Sequence, residues 1–285
     1  MSSKKKDKTP KALKVIRWIF PKLEKVAPGL AQRWFIRLFF TPLNYPVPPK
    51  EKEIEKIAVH FSVHVHGKKV QCYSWGAGPV VLLVHGWAGR ATQFRKFIPV
   101  LSELGYKVVG FDAPAHGKSE GRKVTIVDFE ETLKQLYSKI GGPVAVIAHS
   151  FGGVASLFAA MNGMTIPKLI NIASPTIGAE IIKTYLKGLN ASASTGEAFE
   201  RYVKETTGKP FDQFSACYTV QRLPRPLHLL LVHDENDPEV SIQQPLALQQ
   251  VYPTATLYRT QGLGHTRILK DDDVIKACLR FIQNT

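Results

Sequence analysis

The sequence predicts an α/β protein in which a mostly parallel, doubly wound sheet follows an antiparallel N-terminal hairpin and is interrupted by an inserted helical cap. From Val80 onward, short apolar segments alternate with segments whose apolar residues recur at helical spacing. Before Val80, two segments with alternating apolar residues flank a Gly67-Lys68 turn. Strands that are apolar throughout are typical of a parallel sheet with helices on both faces.

This pattern divides the chain into three parts. Residues 1–50 form a basic amphipathic arm and a proline-rich linker, with the linker over 41–50 expected to be extended. Residues 51–175 and 226–285 form the α/β core. Residues 176–225 form the helical cap, because the alternation of strands and helices is lost there and resumes afterwards.

The individual elements are predicted from periodicity and turn residues. The predicted strands are 57–66, 69–75, 80–84, 107–111, the segment before Ser150, 169–173, 226–233 and 254–259. The predicted helices of the core are 92–104, 125–140, the segment after Ser150, 242–251 and 272–283. The cap is expected to hold helices at 177–189, 198–206 and 211–216, with a polar connection at 191–196.

Charge and cysteine content limit the environment of the protein. Much of the net charge of +15 comes from residues 1–50, which hold nine Lys and three Arg against Asp7 and Glu24. The three cysteines are odd in number and lack a CxxC pair, so neither a disulfide framework nor a zinc cluster is expected. We predict a cytoplasmic protein, with peripheral attachment to the inner membrane surface as an option.

The arm allows two interpretations. Residues 10–40 have apolar residues at helical intervals, and Pro21 and Pro28 are expected to divide them into short helices. Such basic helices can lie on an anionic membrane surface or pack on the α/β core, and the sequence leaves both open. Nucleic acid is a disfavoured partner, because the aromatic residues stand among leucines and isoleucines. The lysine-rich residues 1–9 are expected to be disordered.

The most informative segment is 143–153, a β-branched apolar run followed by Ser150, two glycines and a helix-like run. This strand–turn–helix pattern is typical of a nucleophile elbow, in which the positions two before and two after the serine must be small. Those positions are Ala148 and Gly152. A serine of this kind needs a base that is oriented by an acid.

Two later loops supply the base and the acid. One predicted strand runs into Asp234-Glu235-Asn236-Asp237 and the next into Gly262-Leu263-Gly264-His265. The carboxyl ends of parallel strands meet at one edge of a sheet. The order of serine, aspartate and histidine along the chain is the order expected of this architecture.

These motifs make residues 55–285 resemble an α/β-hydrolase of the serine esterase and lipase type. Two further motifs support the resemblance, His85-Gly86-Trp87 and the segment 112–119. The chain departs from the family pattern at Ala148 and at Ala115, where glycine is more usual.

The resemblance implies a role for each residue. Ser150 would be the nucleophile, His265 the base and Asp237 the acid, with Asp234 as the alternative acid. The backbone N–H groups of Trp87 and Phe151 would form the oxyanion hole. The turn positions around the elbow would be Ala148, Gly152, His85 and Gly86.

The neighbouring histidines are expected to be structural or to line the pocket. His149 is expected to belong to the elbow and to point away from the reaction, and His85, His116 and His233 are assigned to structure or pocket lining. No metal ion and no organic cofactor are expected.

The predicted function is hydrolysis of carboxylic esters or thioesters through an acyl-enzyme on a small-molecule acyl substrate. Lysophospholipase-like and carbon–carbon bond hydrolysis remain alternatives, and so does a non-enzymatic ligand-binding protein on the same fold. A serine at the elbow excludes the dehalogenase and epoxide hydrolase types, which use aspartate there. The sequence leaves the oligomeric state open.

Overall fold

The structure is a computed structural model that describes residues 11–284, apart from the side chains of residues 11 and 12. The lysine-rich tail at 1–9 lies outside the described residues. Two compact units are present, one formed by residues 11–39 with Ala179–Phe211 and the other by Phe40–Gly178 with residues 212–284.

The larger unit is built on one eight-stranded sheet with the order β1-β2-β4-β3-β5-β6-β7-β8. The β1–β2 hairpin is antiparallel and β2 also pairs antiparallel with β4, while the remaining ladders are parallel. This arrangement confirms the predicted fold class. The strands are β1 Val59–Val65, β2 Lys68–Trp75, β3 Val80–Val84, β4 Lys107–Phe111, β5 Ala145–His149, β6 Lys168–Ile172, β7 His228–Asp234 and β8 Thr256–Thr260.

Helices flank the sheet and also make up most of the smaller unit. In chain order they are α1 Lys11–Val26, α2 Pro28–Phe39, α3 Pro49–Lys56, α4 Phe97–Glu103, α5 Ile126–Ile140, α6 Phe151–Met161, α7 Gly178–Leu189, α8 Ala193–Thr207, α9 Ala216–Val220, α10 Gln243–Val251, α11 Gly264–Arg267 and α12 Asp272–Gln283. Helices α1, α2 and α8, and α7 from Ala179 onward, belong to the smaller unit.

The apolar runs of the central strands fill two cores, one on each face of the sheet. In β3, Val80, Leu82 and Val84 lie in one core, whereas Val81 and Leu83 lie in the other. All five side chains are buried. Because successive strand residues point to opposite faces, a strand covered on both sides must be apolar throughout.

Helix α3 was not predicted, since the linker was expected to remain extended up to residue 50. Pro49 occupies its first turn, where a missing N–H costs nothing. Glu51 anchors this helix, because its buried carboxylate accepts a hydrogen bond from Thr92 Oγ1 at 3.0 Å and lies 3.7 Å from Arg90 Nε. The helix predicted at 92–104 is a 3₁₀ turn at Ala91–Phe94 followed by α4.

The expectation that Pro21 ends a helix is wrong. Helix α1 continues through Pro21 and ends at Val26, just before Pro28 begins α2. Proline at position 21 deprives the carbonyl of Arg17 of its helical N–H donor. The side-chain amide of Asn190 donates to this carbonyl at 3.3 Å instead. A donor 173 residues away thus replaces the lost bond.

The apolar side of α1 and α2 packs within the smaller unit. Phe20 is fully buried, with its ring 5.7 Å from that of Trp34. The Phe35 ring lies 5.8 Å from Tyr185 and 5.5 Å from Phe199. One face of the arm therefore folds together with α7 and α8, which belong to the predicted cap.

Candidate active site

Ser150 stands in a sharp turn between β5 and α6, with φ 51° and ψ −124°. A positive φ at a non-glycine residue costs about 1–3 kcal/mol and persists only where the surroundings enforce it. Here the N–H of Ser150 donates to the Ile172 carbonyl at 2.8 Å, and its carbonyl accepts from Ser174 Oγ at 2.7 Å. The end of β6 therefore holds the serine in its strained conformation.

The small residues around the elbow are required by close approach. A Cβ at Gly152 would lie 2.4 Å from the Val84 carbonyl oxygen and 2.6 Å from that of His85. A Cβ at Gly86 would lie 2.8 Å from the Cβ of Ser150. The methyl of Ala148 is buried in the core beside the sheet, so this departure from glycine is compatible with the elbow.

The structure brings the three predicted residues together. Ser150 Oγ lies 3.1 Å from His265 Nε2, and His265 Nδ1 lies 2.8 Å from Asp237 Oδ2. Both distances are within hydrogen-bonding range. The order of contacts is nucleophile, base and acid, the roles that the resemblance implies for these three residues.

The two candidate acids have separate positions. Asp237 contacts His265 through Oδ2, while its Oδ1 accepts from the N–H groups of Glu239 and Val240 at 2.8 and 3.1 Å. Asp234 instead accepts from Thr260 Oγ1 at 2.8 Å and from the Leu263 N–H at 2.9 Å. Asp237 is thus the carboxylate that orients the histidine, and Asp234 fastens the loop that carries the histidine.

His149 does not point away from this group, contrary to the sequence-based expectation. Its Nε2 donates to the backbone carbonyl of His265 at 2.9 Å, and the two rings are 4.9 Å apart. Complete burial lowers the pKa of His149 to about 3, so the ring is neutral and acts as a fixed donor. His233 is placed in a similar way and donates from Nε2 to the Val240 carbonyl at 2.8 Å.

The loop after β3 is held by two other histidines. His85 Nε2 accepts from the Ala113 N–H at 2.9 Å, and His116 Nε2 accepts from the Ala88 N–H at 3.1 Å. Burial lowers the pKa of His116 to about 4, which leaves its Nε2 free of a proton and able to accept. Both histidines have the structural position expected from the sequence.

The two predicted oxyanion donors belong to segments that meet at the elbow. Phe151 is the first residue of α6, so its N–H has no acceptor inside the helix. Within the described part of the chain, neither this N–H nor that of Trp87 donates a hydrogen bond to the backbone outside a helix or strand. The Trp87 and Phe151 rings are 5.6 Å apart and give this side of the site an apolar surface.

Charges around His265 favour its protonated form. Burial by itself lowers the pKa of this imidazole, but the hydrogen bond to Asp237 and the charges of Glu239 and Asp237 outweigh burial and raise the pKa above 6.5. Glu239 Oε2 lies 3.7 Å from His265 Nε2, on the same ring nitrogen that faces Ser150. Burial raises the pKa of Asp237, yet its hydrogen bond to His265 makes the net change a lowering, so the carboxylate is ionised at neutral pH.

Three contributors to the site were not predicted as such: Ser174, Glu239 and the donor role of His149. Glu239 stands two residues after Asp237, and that spacing is typical of a turn in which the aspartate side chain accepts from the following backbone. The spacing could have identified the turn. Nothing in the sequence indicates that Ser174 would bond to a residue in another loop.

The described residues were also compared with the requirements of a metal site, a disulfide and a membrane-spanning helix. No group of three or more His, Cys, Asp or Glu side chains in residues 11–284 could hold a metal ion. The three cysteines Cys72, Cys217 and Cys278 are free thiols. Over the same residues, none of the helices has the length and apolar character needed to cross a bilayer.

Comparisons with known proteins agree with this architecture. Residues 79–189 match the family model described as alpha/beta hydrolase fold. The chain is 28% identical over 170 residues to the magnesium-chelatase 30 kDa subunit of Rhodobacter capsulatus, covering 53% of this chain and 59% of that protein. It is 25% identical over 146 residues to the monoglyceride lipase of Rattus norvegicus, covering 45% and 48%. The chain spans about half the length of the curated relatives it matches.

Solved structures show the same fold at low identity. Est1E from Butyrivibrio proteoclasticus, solved with ferulic acid bound, superposes with a TM-score of 0.61 and 21% identity over 79% of this chain and 100% of that chain. The sheet order and the elbow are those of the α/β-hydrolase fold. Esterases and lipases are among the curated proteins to which the chain is similar.

The first prediction concerns the close approach at Gly152. We expect Gly152→Ala to lower the free energy of unfolding by roughly 3 kcal/mol, because the added methyl meets two backbone carbonyls that cannot move aside. Urea denaturation measures this change. The matched control is Gly188→Ala on α7, where a Cβ meets nothing within 4 Å and no loss of stability is expected. Equal midpoints for Gly152→Ala and the unmodified protein would contradict the crowding argument.

The second prediction concerns Glu239. Removing its charge by Glu239→Gln should lower the pKa of His265, because the carboxylate stabilises the imidazolium. NMR titration of the imidazole nitrogens measures this pKa directly. Glu235→Gln is the matched control, since Glu235 pairs with Arg259 at 3.3 Å. A His265 pKa that is the same in both variants would show that Glu239 does not act on the ring.

Proposed function

We propose that the protein is a serine hydrolase that cleaves carboxylic esters or thioesters through an acyl-enzyme on Ser150. The observation that carries this proposal is a serine in strained backbone, with φ 51°, whose Oγ lies 3.1 Å from a histidine that is itself 2.8 Å from a buried carboxylate. Strained backbone of this kind clusters at functional sites. A structural serine would need neither the strain nor the oriented base.

The contacts support an acyl-transfer mechanism. Ser150 Oγ attacks the carbonyl carbon of the substrate while His265 Nε2 takes the hydroxyl proton. Asp237 holds the imidazole with Nδ1 protonated and stabilises the imidazolium that forms. When the tetrahedral intermediate collapses, His265 gives the proton to the leaving alcohol or thiol. A water molecule then repeats the sequence on the acyl-enzyme and releases the acid.

The negative charge on the intermediate needs donors that are already in place. The N–H of Phe151, at the start of α6, and the N–H of Trp87 are our candidates. A helix N-terminus also carries partial positive charge, which favours an anion there. Donors of this type are worth about 10²–10³ in rate for each one removed.

Two observations favour an uncharged, apolar acyl group. The Trp87 and Phe151 rings form an apolar wall beside the elbow, and pockets lined in this way select apolar ligands. Relatives of this chain include proteins named monoglyceride lipase and methylesterase. We therefore place esters of uncharged acyl groups first among the substrates.

The third prediction tests whether Ser150 is activated. We expect the intact protein to react with a fluorophosphonate probe and to hydrolyse p-nitrophenyl esters, and Ser150→Ala or His265→Ala to lower the rate by at least about 10⁴-fold. Ser138→Ala, which removes an exposed hydroxyl on α5, serves as the control and should leave both signals unchanged. An intact protein that neither labels nor turns over would instead favour the ligand-binding alternative.

The fourth prediction separates the two aspartates. Asp237→Asn should lower kcat by about 10⁴-fold while the fold persists, because an amide no longer stabilises the required tautomer and the imidazolium. Asp234→Asn should mainly lower the thermal midpoint, since Asp234 contacts Thr260 and Leu263 rather than the imidazole. Ester turnover and melting curves of both variants provide the comparison. A larger loss of kcat in Asp234→Asn would reverse the assignment.

A further inference from the structure

Helix α1 has two apolar sides, and the inner one is already occupied. Phe20 on this side is fully buried against Trp34 and Phe35. Glu24, the one acidic residue in the helix sequence, accepts from Ser192 Oγ at 2.8 Å and from Thr195 Oγ1 at 2.6 Å. The inner side of α1 is therefore the side that packs on the rest of its unit.

The outer side has the composition of an interface. Val15, Trp18, Ile19 and Val26 are 54%, 66%, 36% and 80% exposed. They are spaced at i, i+3, i+4 and i+11, which places them along one face of the helix. Single exposed apolar residues need no explanation, but a contiguous group marks a site of interaction. We call this group, together with the lysines described next, the outer face of α1.

Lysines complete the outer face. Lys14, Lys22 and Lys25 are exposed on the same side of the helix, whereas Glu24 is directed to Ser192 and Thr195. The Lys22 ammonium lies 3.1 Å from the centroid of the Trp18 ring. An ammonium above an indole combines an apolar body with a positive head, which is the arrangement found at the level of lipid headgroups. The face is therefore both apolar and positive.

We propose that the outer face of α1 docks on an anionic lipid surface, with the helix lying in the plane of the interface. The 16-residue helix is about 24 Å long and would expose Trp18 and Ile19 to the acyl boundary while the lysines meet lipid phosphates. Anionic lipid matches both properties of the face at once. A second copy matches less well, because two such faces would place lysines against lysines.

The expected loss of vesicle binding indicates which variants to make. Each lysine near an anionic surface strengthens partitioning about fivefold, so the loss of two lysines should weaken binding about 25-fold. Insertion of an indole and an isoleucine contributes through buried apolar area, and their replacement by serine should weaken binding at least about tenfold. Both effects should appear with folding unchanged, since all of these side chains are exposed.

The fifth prediction is tested by co-sedimentation of the full chain with vesicles of phosphatidylcholine containing phosphatidylglycerol, and with vesicles of phosphatidylcholine alone. We expect binding to the anionic vesicles that decreases with added salt. The test variants are Trp18→Ser with Ile19→Ser, and Lys22→Gln with Lys25→Gln. The matched controls lie on α8 of the same unit and just after its end: Tyr202→Ser, an aromatic residue 37% exposed, and Lys204→Gln with Lys209→Gln.

Each outcome decides the proposal. Binding lost in both test variants and kept in both controls supports it. Absence of binding to anionic vesicles, or equal binding by the Trp18 and Ile19 variant, overturns it. Self-association that the Trp18 and Ile19 variant abolishes, without vesicle binding, assigns the face to a second copy and also overturns it. Ser150→Ala should bind vesicles normally, so failure of the hydrolase proposal would leave this result unaffected.

Discussion

The close approach of α6 to the end of β3 is the constraint on which the rest of the site depends. A Cβ at position 152 would lie 2.4 Å from the Val84 carbonyl oxygen and 2.6 Å from that of His85, which is closer than any side chain permits. The helix can then begin directly after the strand, and Ser150 takes the turn with φ 51°. The strain of about 1–3 kcal/mol is offset by two hydrogen bonds: the Ser150 N–H donates to the Ile172 carbonyl of β6, and Ser174 Oγ donates to the Ser150 carbonyl.

Neutral histidines hold the two loops that carry His265 and Asp237. His149 donates to the carbonyl of His265, and His233 donates to the carbonyl of Val240 in the turn of Asp237. Both have lowered pKa values with burial as the main cause, so neither adds a positive charge that would compete with the imidazolium of His265. Burial thus keeps His149 and His233 neutral, whereas the pKa of His265 is raised, although the three histidines are close in space.

Local patterns predicted the sheet, the elbow and the choice of Asp237, because each depends on residues adjacent in the chain. Long-range contacts account for what was missed. Continuation of α1 through Pro21 depends on Asn190, and the start of α3 is supported by contacts of Glu51 with Thr92 and Arg90. The orientation of His149 depends on where the loop of His265 passes, 116 residues later. Periodicity contains no information about such partners.

The smaller unit joins two stretches of chain that are made at different times. Residues 11–39 are synthesised before residues 179–211, with 139 residues of the larger unit between them. At about 5–20 residues per second, translation of that interval takes on the order of ten seconds. For that period Phe35 and Phe39 lack the aromatic partners Tyr185 and Phe199, which α7 and α8 supply. The nascent arm is then a pair of basic amphipathic helices that lacks part of the apolar cover of its native state, and exposed apolar surface of this kind is prone to aggregation.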